Sequence, residues 1–170
     1  ALSPELATEI EQLFGQLDPL AGYLTPRRSF HLGRWIKYGG WYPDYQLKLF
    51  NKDHAQWSEA EVHESIQVQK KHKLKGDVLH WVFDSLSDQV VTNDRYSSLG
   101  ARQLYQEGKR FSYLKLFFKP FGKFVETYIV KQGFRDGLPG FIIAVGAAYS
   151  LFLKFAKLWE IERANQRSQE

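Results

Sequence analysis

The stretch Gly33–Glu64, GRWIKYGGWYPDYQLKLFNKDHAQWSEAEVHE, gathers aromatic rings, basic side chains and a paired glycine in one segment. Trp35, Tyr38, Trp41, Tyr42 and Tyr45 are interspersed with Arg34, Lys37 and Asp44. Rings with polar edges beside charges suit a polar ligand with flat apolar faces better than a plain core. Gly39-Gly40 sits at the centre, where the lack of a Cβ permits positive φ and close approach of the backbone to a ligand. On the N-terminal side, Tyr23, Thr25, Phe30, Trp35 and Ile36 predict two strands, Gly22–Phe30 and Leu32–Tyr38. On the C-terminal side, Tyr45–Phe50 predicts a strand with Leu47 and Leu49 on one face and Gln46, Lys48 and Phe50 on the other. Glu61–Val68 predicts a further strand that carries His63 and Glu64, and Val78–Trp81 a last one around His80. Between them, Lys70–Lys75 reads as a solvated basic loop.

Helices flank this β-rich middle. Leu6, Ile10, Leu13 and Phe14 recur at helical spacing, so Ser3 to Leu17 predicts an amphipathic helix with Ser3 as N-cap and Pro4 at its first position. Asp18-Pro19 ends it. From Ser85 to about Gly108, Tyr96, Leu99, Ala101, Leu104 and Tyr105 give a second apolar face. In Phe111–Val130, Lys115, Lys119 and Lys123 share one face, while Phe118, Phe121, Val125, Tyr128 and Ile129 lie on another; Pro120 is expected to kink or restart this helix. A basic stripe beside an aromatic face fits a helix lying in a membrane interface, and equally a core helix with a solvated back. Gly137–Leu153 carries no charge, and Gly140, Ala144 and Ala148 repeat at a spacing that permits close helix packing. Together the two segments predict a helical hairpin bending at Gly133 and Asp136–Gly140.

The chain of 170 residues is long enough for one domain with a sizeable core. Its net charge of +4 suits an anionic small molecule, an anionic membrane face or nucleic acid. Nucleic acid is disfavoured, because Arg27, Arg28 and the Lys70–Lys75 patch are scattered and no recognition motif is present. The absence of Cys excludes a disulfide framework and thiol chemistry. Met is absent at position 1 and elsewhere, so the chain is expected to be a piece of a longer protein. No P-loop, GxSxG, HExxH or zinc-ligand spacing occurs.

Three features carry candidate chemistry. Glu64, beside His63, is placed to accept a proton from a hydroxyl nucleophile, or to form a salt bridge at a strand end. His80, between Leu79 and Trp81, is either a satisfied core imidazole or a ligand. Arg27-Arg28 is either a solvated edge or a phosphate-facing pair.

The runs Leu32–Ile36, Gly39–Phe50 (GGWYPDYQLKLF) and Val62-His63-Glu64, together with Tyr96–Leu99, Phe134–Gly137 and Lys154–Trp159, resemble the bacterial family 2 glycosyltransferases of lipopolysaccharide core and surface-glycan assembly. The resemblance covers essentially the whole chain. It implies an α+β chain forming the C-terminal part of a GT-A fold: a small mixed sheet with flanking helices, then C-terminal amphipathic helices. Residues 1–84 would be the acceptor-side half of the catalytic domain, 85–110 a connecting helix and 111–170 the membrane-interface helices. It further implies an inverting transferase that moves a sugar from a nucleotide-diphosphate donor to a lipid-linked saccharide, peripheral at the cytoplasmic face of the inner membrane. Glu64 would be the catalytic base and His80 a metal ligand. Gly39 and Gly40 would lie near the donor sugar, and Trp41, Tyr42 and Asp44 would shape the sugar pocket. Arg28, His63 and Lys48 would complete the substrate contacts, Lys48 standing where relatives more often have Arg. A divalent Mg or Mn ion would be bound mainly by the N-terminal half of the same enzyme, without which the isolated chain is expected to be inactive. Self-association is a further expectation. The alternative function is a non-catalytic membrane- or partner-binding module.

Overall fold

The computed structural model describes residues 1–57 and 66–167. They form a mixed α/β protein in two compact units, one of residues 1–30 with 41–81, the other of residues 31–40 with 82–170.

The first unit is built on one long strand, β1 (Ala21–His31). Before it comes α1 (Pro4–Leu13), where the Ser3 hydroxyl accepts from the Leu6 amide at 3.2 Å. The helix stops four residues earlier than its apolar spacing suggests, because Gly15 adopts a φ of 88° and turns the chain. After the two-residue β2 (Arg34–Trp35) of the other unit come β3 (Asp44–Phe50), β4 (Gln56–Trp57), β5 (Ile66–Gln67), β6 (Lys70–Lys73) and β7 (Val78–Trp81). β3 pairs antiparallel with β1 from Gly22↔Phe50 to Arg27↔Asp44. On the opposite edge β6 and then β7 run parallel to β1, from Ala21↔Lys70 and from Arg27↔Val78. A short antiparallel pair, β4 with β5, stands apart.

Three sequence expectations change here. Leu32–Tyr38 contains strand only at Arg34–Trp35. Lys70–Lys73 is an edge strand rather than a loop; all four side chains are exposed, so no alternation marks it. A register shift between Tyr23 and Leu24 sets Leu49 opposite Tyr23 but Leu47 opposite Leu24, so the two leucines fall on different faces. Leu49 joins the core of Leu6, Ala21, Tyr23 and Leu74, while Leu47 fills the space above Gly22. Between β6 and β7 the chain turns under α1. The Glu9 carboxylate accepts from the Lys75 and Gly76 amides at 2.9 Å each, and a Cβ on Gly76 would overlap the Leu6 backbone.

The second unit is helical: α2 (Leu86–Gln106), α3 (Tyr113–Val125) and α4 (Gly137–Arg167). Ser85 caps α2 by accepting from the Asp88 amide at 3.1 Å. α3 runs through Pro120 without breaking and continues into a π-helical turn, Glu126–Val130. The expected bend is present: Gln132 is left-handed at φ 56°, a 3₁₀ turn spans Gly133–Asp136, and Gly137 has φ 65°. Beyond it α4 is one helix of 31 residues. Pro139 does not interrupt it, because first-turn amides have no intrahelical acceptor to lose. Ala101, Phe155 and Leu158 are its buried centre. At the corner, Tyr128, Phe124 and Phe141 stack with centroids 5.4–5.9 Å apart, and a Cβ on Gly140 would overlap the Gly133 carbonyl.

Candidate functional site

β1 carries Arg27 and Arg28 in succession, so the two guanidinium groups point to opposite faces of the sheet. Each is paired with a carboxylate.

On one face, Arg28 Nη2 lies 2.5 Å from Asp77 Oδ2, and the Tyr42 hydroxyl donates to Asp77 Oδ1 at 3.0 Å. The Arg28 guanidinium also stands 5.4 Å from the Tyr42 ring centroid. Asp77 is buried and fixed by α1: the Ser3 amide donates to its carbonyl at 2.9 Å, and its own amide donates to the Ser3 hydroxyl at 3.2 Å. Burial raises the Tyr42 hydroxyl above its ordinary value of 10.0; the hydrogen bond from Arg28 opposes this and the Asp77 carboxylate reinforces it. Tyr42 is therefore a neutral donor and ring face at physiological pH. Asp77 is a central member of this cluster, although no motif in the sequence marks it. Its only signal is an acid next to Gly76 at the head of a strand.

On the other face, Arg27 pairs with Asp44 at 2.5 Å, and the register sets Ser29 beside His80. Burial lowers the His80 imidazole below its ordinary 6.5; the Arg27 guanidinium, the amino terminus and Lys48 lower it further, and Asp44 opposes them. His80 is thus neutral at pH 7 in a surround dominated by cations. Among the described residues no group of three or more His, Asp, Glu or Cys could hold a metal ion. Among the described residues, the carboxylate that acts on His80, Asp44, is already paired with Arg27. The face around His80 is rich in cationic groups, Arg27, Lys48 and the amino terminus.

The structure thus brings Arg28 together with Tyr42, and separately Asp44 and Lys48 with His80. Trp41 is half-buried in the same unit. Glu64 and His63 lie outside the described residues.

Gly39 and Gly40 belong to the helical unit. Their φ angles are 68° and 79°, as the sequence reading requires. The Gly39 amide donates to the Lys131 carbonyl at 2.8 Å, and a Cβ on Gly40 would lie 2.7 Å from Lys131 Cδ. The segment leading into the pair is held by Asp136, which is fully buried. Its Oδ2 accepts from the Lys37 and Tyr38 amides at 3.0 and 2.8 Å. Its Oδ1 faces Arg34 Nη2 at 3.4 Å, while Arg34 Nη1 donates to the Asp136 carbonyl at 3.0 Å. A buried carboxylate is retained only with partners of this kind. Arg135 closes the corner, 4.5 Å from the Tyr38 ring centroid.

Lys157 makes a comparable lock between α4 and α2. Its ammonium donates to the Asp94 carbonyl and carboxylate at 2.8 and 2.6 Å, and to the Ser97 and Ser98 hydroxyls at 2.9 and 2.7 Å.

The curated proteins that the chain resembles are named as glycosyltransferases. A lipopolysaccharide core biosynthesis glycosyltransferase, LpsC of Rhizobium meliloti, is 28% identical over 167 residues, 94% of this chain and 60% of the relative. The chain is similar to bacterial glycosyltransferases. An uncharacterized glycosyltransferase of Rickettsia typhi is 27% identical over 125 residues, covering 68% of this chain and 43% of the relative. One of Rickettsia prowazekii is 26% identical over 129 residues, covering 70% and 44%. The chain therefore spans about half the length of the curated relatives it matches. No family model matches the chain. No solved structure matches it either.

In structural terms, two of the runs singled out in the sequence are positioning devices. Phe134–Gly137 contributes Asp136 to the glycine segment, and Lys154–Trp159 contributes Lys157 to the Asp94–Ser98 turn of α2.

Proposed function

We propose that this chain supplies the acceptor-side half of an inverting, family 2-type GT-A glycosyltransferase. That enzyme moves a sugar from a nucleotide-diphosphate donor to a lipid-linked saccharide at the cytoplasmic membrane face. The similarity to a lipopolysaccharide core glycosyltransferase along 94% of the chain carries this reading. The fixed Gly39–Gly40 turn supports it.

The acceptor hydroxyl oxygen attacks the anomeric carbon, its proton passes to the Glu64 carboxylate, and the bond from that carbon to the diphosphate oxygen breaks. The nucleoside diphosphate leaves with the electron pair. Gly39 and Gly40 give the donor sugar a backbone surface without side chains. Arg28, Tyr42 and Asp44 contribute contacts to the saccharides, while Lys48 and His80 keep an anion-tolerant face.

The test is sugar transfer by an enzyme completed with a nucleotide-binding half. Glu64→Gln is expected to lower kcat by about 10²–10⁴-fold. A wild-type rate in that variant removes Glu64 as the base, and no donor turnover in the completed wild type removes the glycosyltransferase reading.

A second reading, a non-catalytic membrane-binding module, is favoured by the apolar surface of the helical unit. Phe117, Phe118 and Phe121 of α3 and Leu138, Val145 and Tyr149 of α4 are all exposed. By length and composition alone, the segment Gly133–Arg167 is also long and apolar enough to cross a membrane, a test that core helices pass as well. Both readings place α3 and α4 against a membrane surface.

A further inference from the structure

The solvent side of α3 is divided. At about 100° per residue, Phe117, Phe121, Leu114, Val125 and Phe118 occupy one arc, and Lys115, Lys119 and Lys123 the arc beyond it. The apolar arc is continuous with α4 through Phe121 and Phe124, which meet Val145, Tyr149 and Phe152 in a shallow apolar trough. The basic arc borders a groove of about 660 Å³ floored by Leu114, Phe118 and Leu151. Lys123 and Leu151 also line a second depression, of about 410 Å³, which adds Lys154 of α4 with Tyr96 and Ser150.

Lys115, Lys119 and Lys123 therefore border the first depression and Lys123 and Lys154 the second, with Lys123 and Leu151 common to both. The carboxylate lining the first is Glu126, and it is shared by Lys123 at 3.1 Å and Lys131 at 2.5 Å. Among the described residues Lys115, Lys119 and Lys154 have no carboxylate partner. The Lys154 stem is accommodated by Gly100, where an added Cβ would lie 2.8 Å from its Cδ. An apolar floor with an uncompensated cationic rim, beside an exposed aromatic arc, is complementary to a molecule that carries its negative charge where its hydrocarbon begins.

We propose that these two adjoining depressions seat the phosphate of an anionic phospholipid headgroup, with Lys119 bordering one and Lys154 the other, while the neighbouring apolar arc enters the acyl layer. This rests on the reading above that the chain works at a membrane face, and it adds a defined lipid site to a general attraction. Cations at an anionic surface contribute about 1 kcal/mol each, or roughly five-fold in affinity. Two lysines that share one bound phosphate lose at least that product when removed together.

The experiment is binding of the full chain to phosphatidylcholine vesicles with and without phosphatidylglycerol. Lys119→Gln/Lys154→Gln is compared with the charge-matched Arg95→Gln/Arg102→Gln, which alters exposed positions on α2 away from the groove. Circular dichroism checks that both variants fold. The expected result is a loss of about 25-fold or more on anionic vesicles for the lysine pair and within about two-fold of wild type for the arginine pair. Equal losses overturn the site while leaving non-specific attraction. Failure of the wild-type chain to bind anionic vesicles overturns the site and the membrane reading together, and leaves sugar transfer to be judged by the Glu64 assay.

Discussion

Replacing Asp136 by alanine is the sharpest single test of how the glycine turn is held. The substitution removes an acceptor that satisfies the Lys37 and Tyr38 amides at 3.0 and 2.8 Å from a fully buried position. Hydrogen bonds to an ionised partner contribute about 1.5–3 kcal/mol each, and donors left buried without a partner carry their own desolvation cost. The facing Arg34 is about 45% exposed, so its ion pair adds little once solvent screening is allowed for. The expected loss is therefore about 3–5 kcal/mol in the helical unit, or a fall in its Tm of at least about 10 °C. Asp136→Asn retains one acceptor oxygen and should lose about half as much. Thermal unfolding by circular dichroism reads the total, and hydrogen exchange at the Lys37 and Tyr38 amides reads the cause. A loss below about 1 kcal/mol, or unchanged protection of those two amides, would refute the argument that Asp136 anchors the segment.

Two further outcomes follow from the geometry. The His80 imidazole should titrate below 6.5 by NMR, and Lys48→Gln should move the midpoint upward. Because its folded pKa is depressed, His80 contributes stability above the unfolded value that is lost as the pH falls through the folded value, and His80→Phe should flatten that part of the stability profile. Gly140→Ala should destabilise by about 1–3 kcal/mol or more, because its Cβ would overlap the Gly133 carbonyl; a Tm within about 2 °C of wild type would show that the corner relaxes easily.

Local signals in the sequence identified the elements whose chemistry is local. Ser3-Pro4 marks the start of α1, Ser85 caps α2, and the glycines after Lys131 mark the corner. The strand at Lys70–Lys73 was not legible, because an exposed, charged edge strand has neither alternation nor apolar residues, and its place is fixed by pairing with β1. The same limit hid Asp77, whose partners Arg28 and Tyr42 are distant in the chain and meet only through sheet register. The Arg27-Arg28 pair drew notice as two cations together, yet a strand sends neighbours to opposite faces, so they serve different clusters. In the sequence Asp136 marks a bend and belongs to the Phe134–Gly137 run; its role rests on the pair of amides it accepts from, about a hundred positions away.

The allegiance of residues 31–40 has a consequence for how such a chain can be rearranged during evolution. The polypeptide passes from one unit to the other after Phe30, after Gly40 and after Trp81. A helical cassette beginning at Val82 would carry Asp136 without the Arg34 guanidinium and the Lys37 and Tyr38 amides that partner it. A rearrangement that keeps the Asp136 anchor therefore has to move residues 31–40 together with the helices, although they are separated from them in the chain.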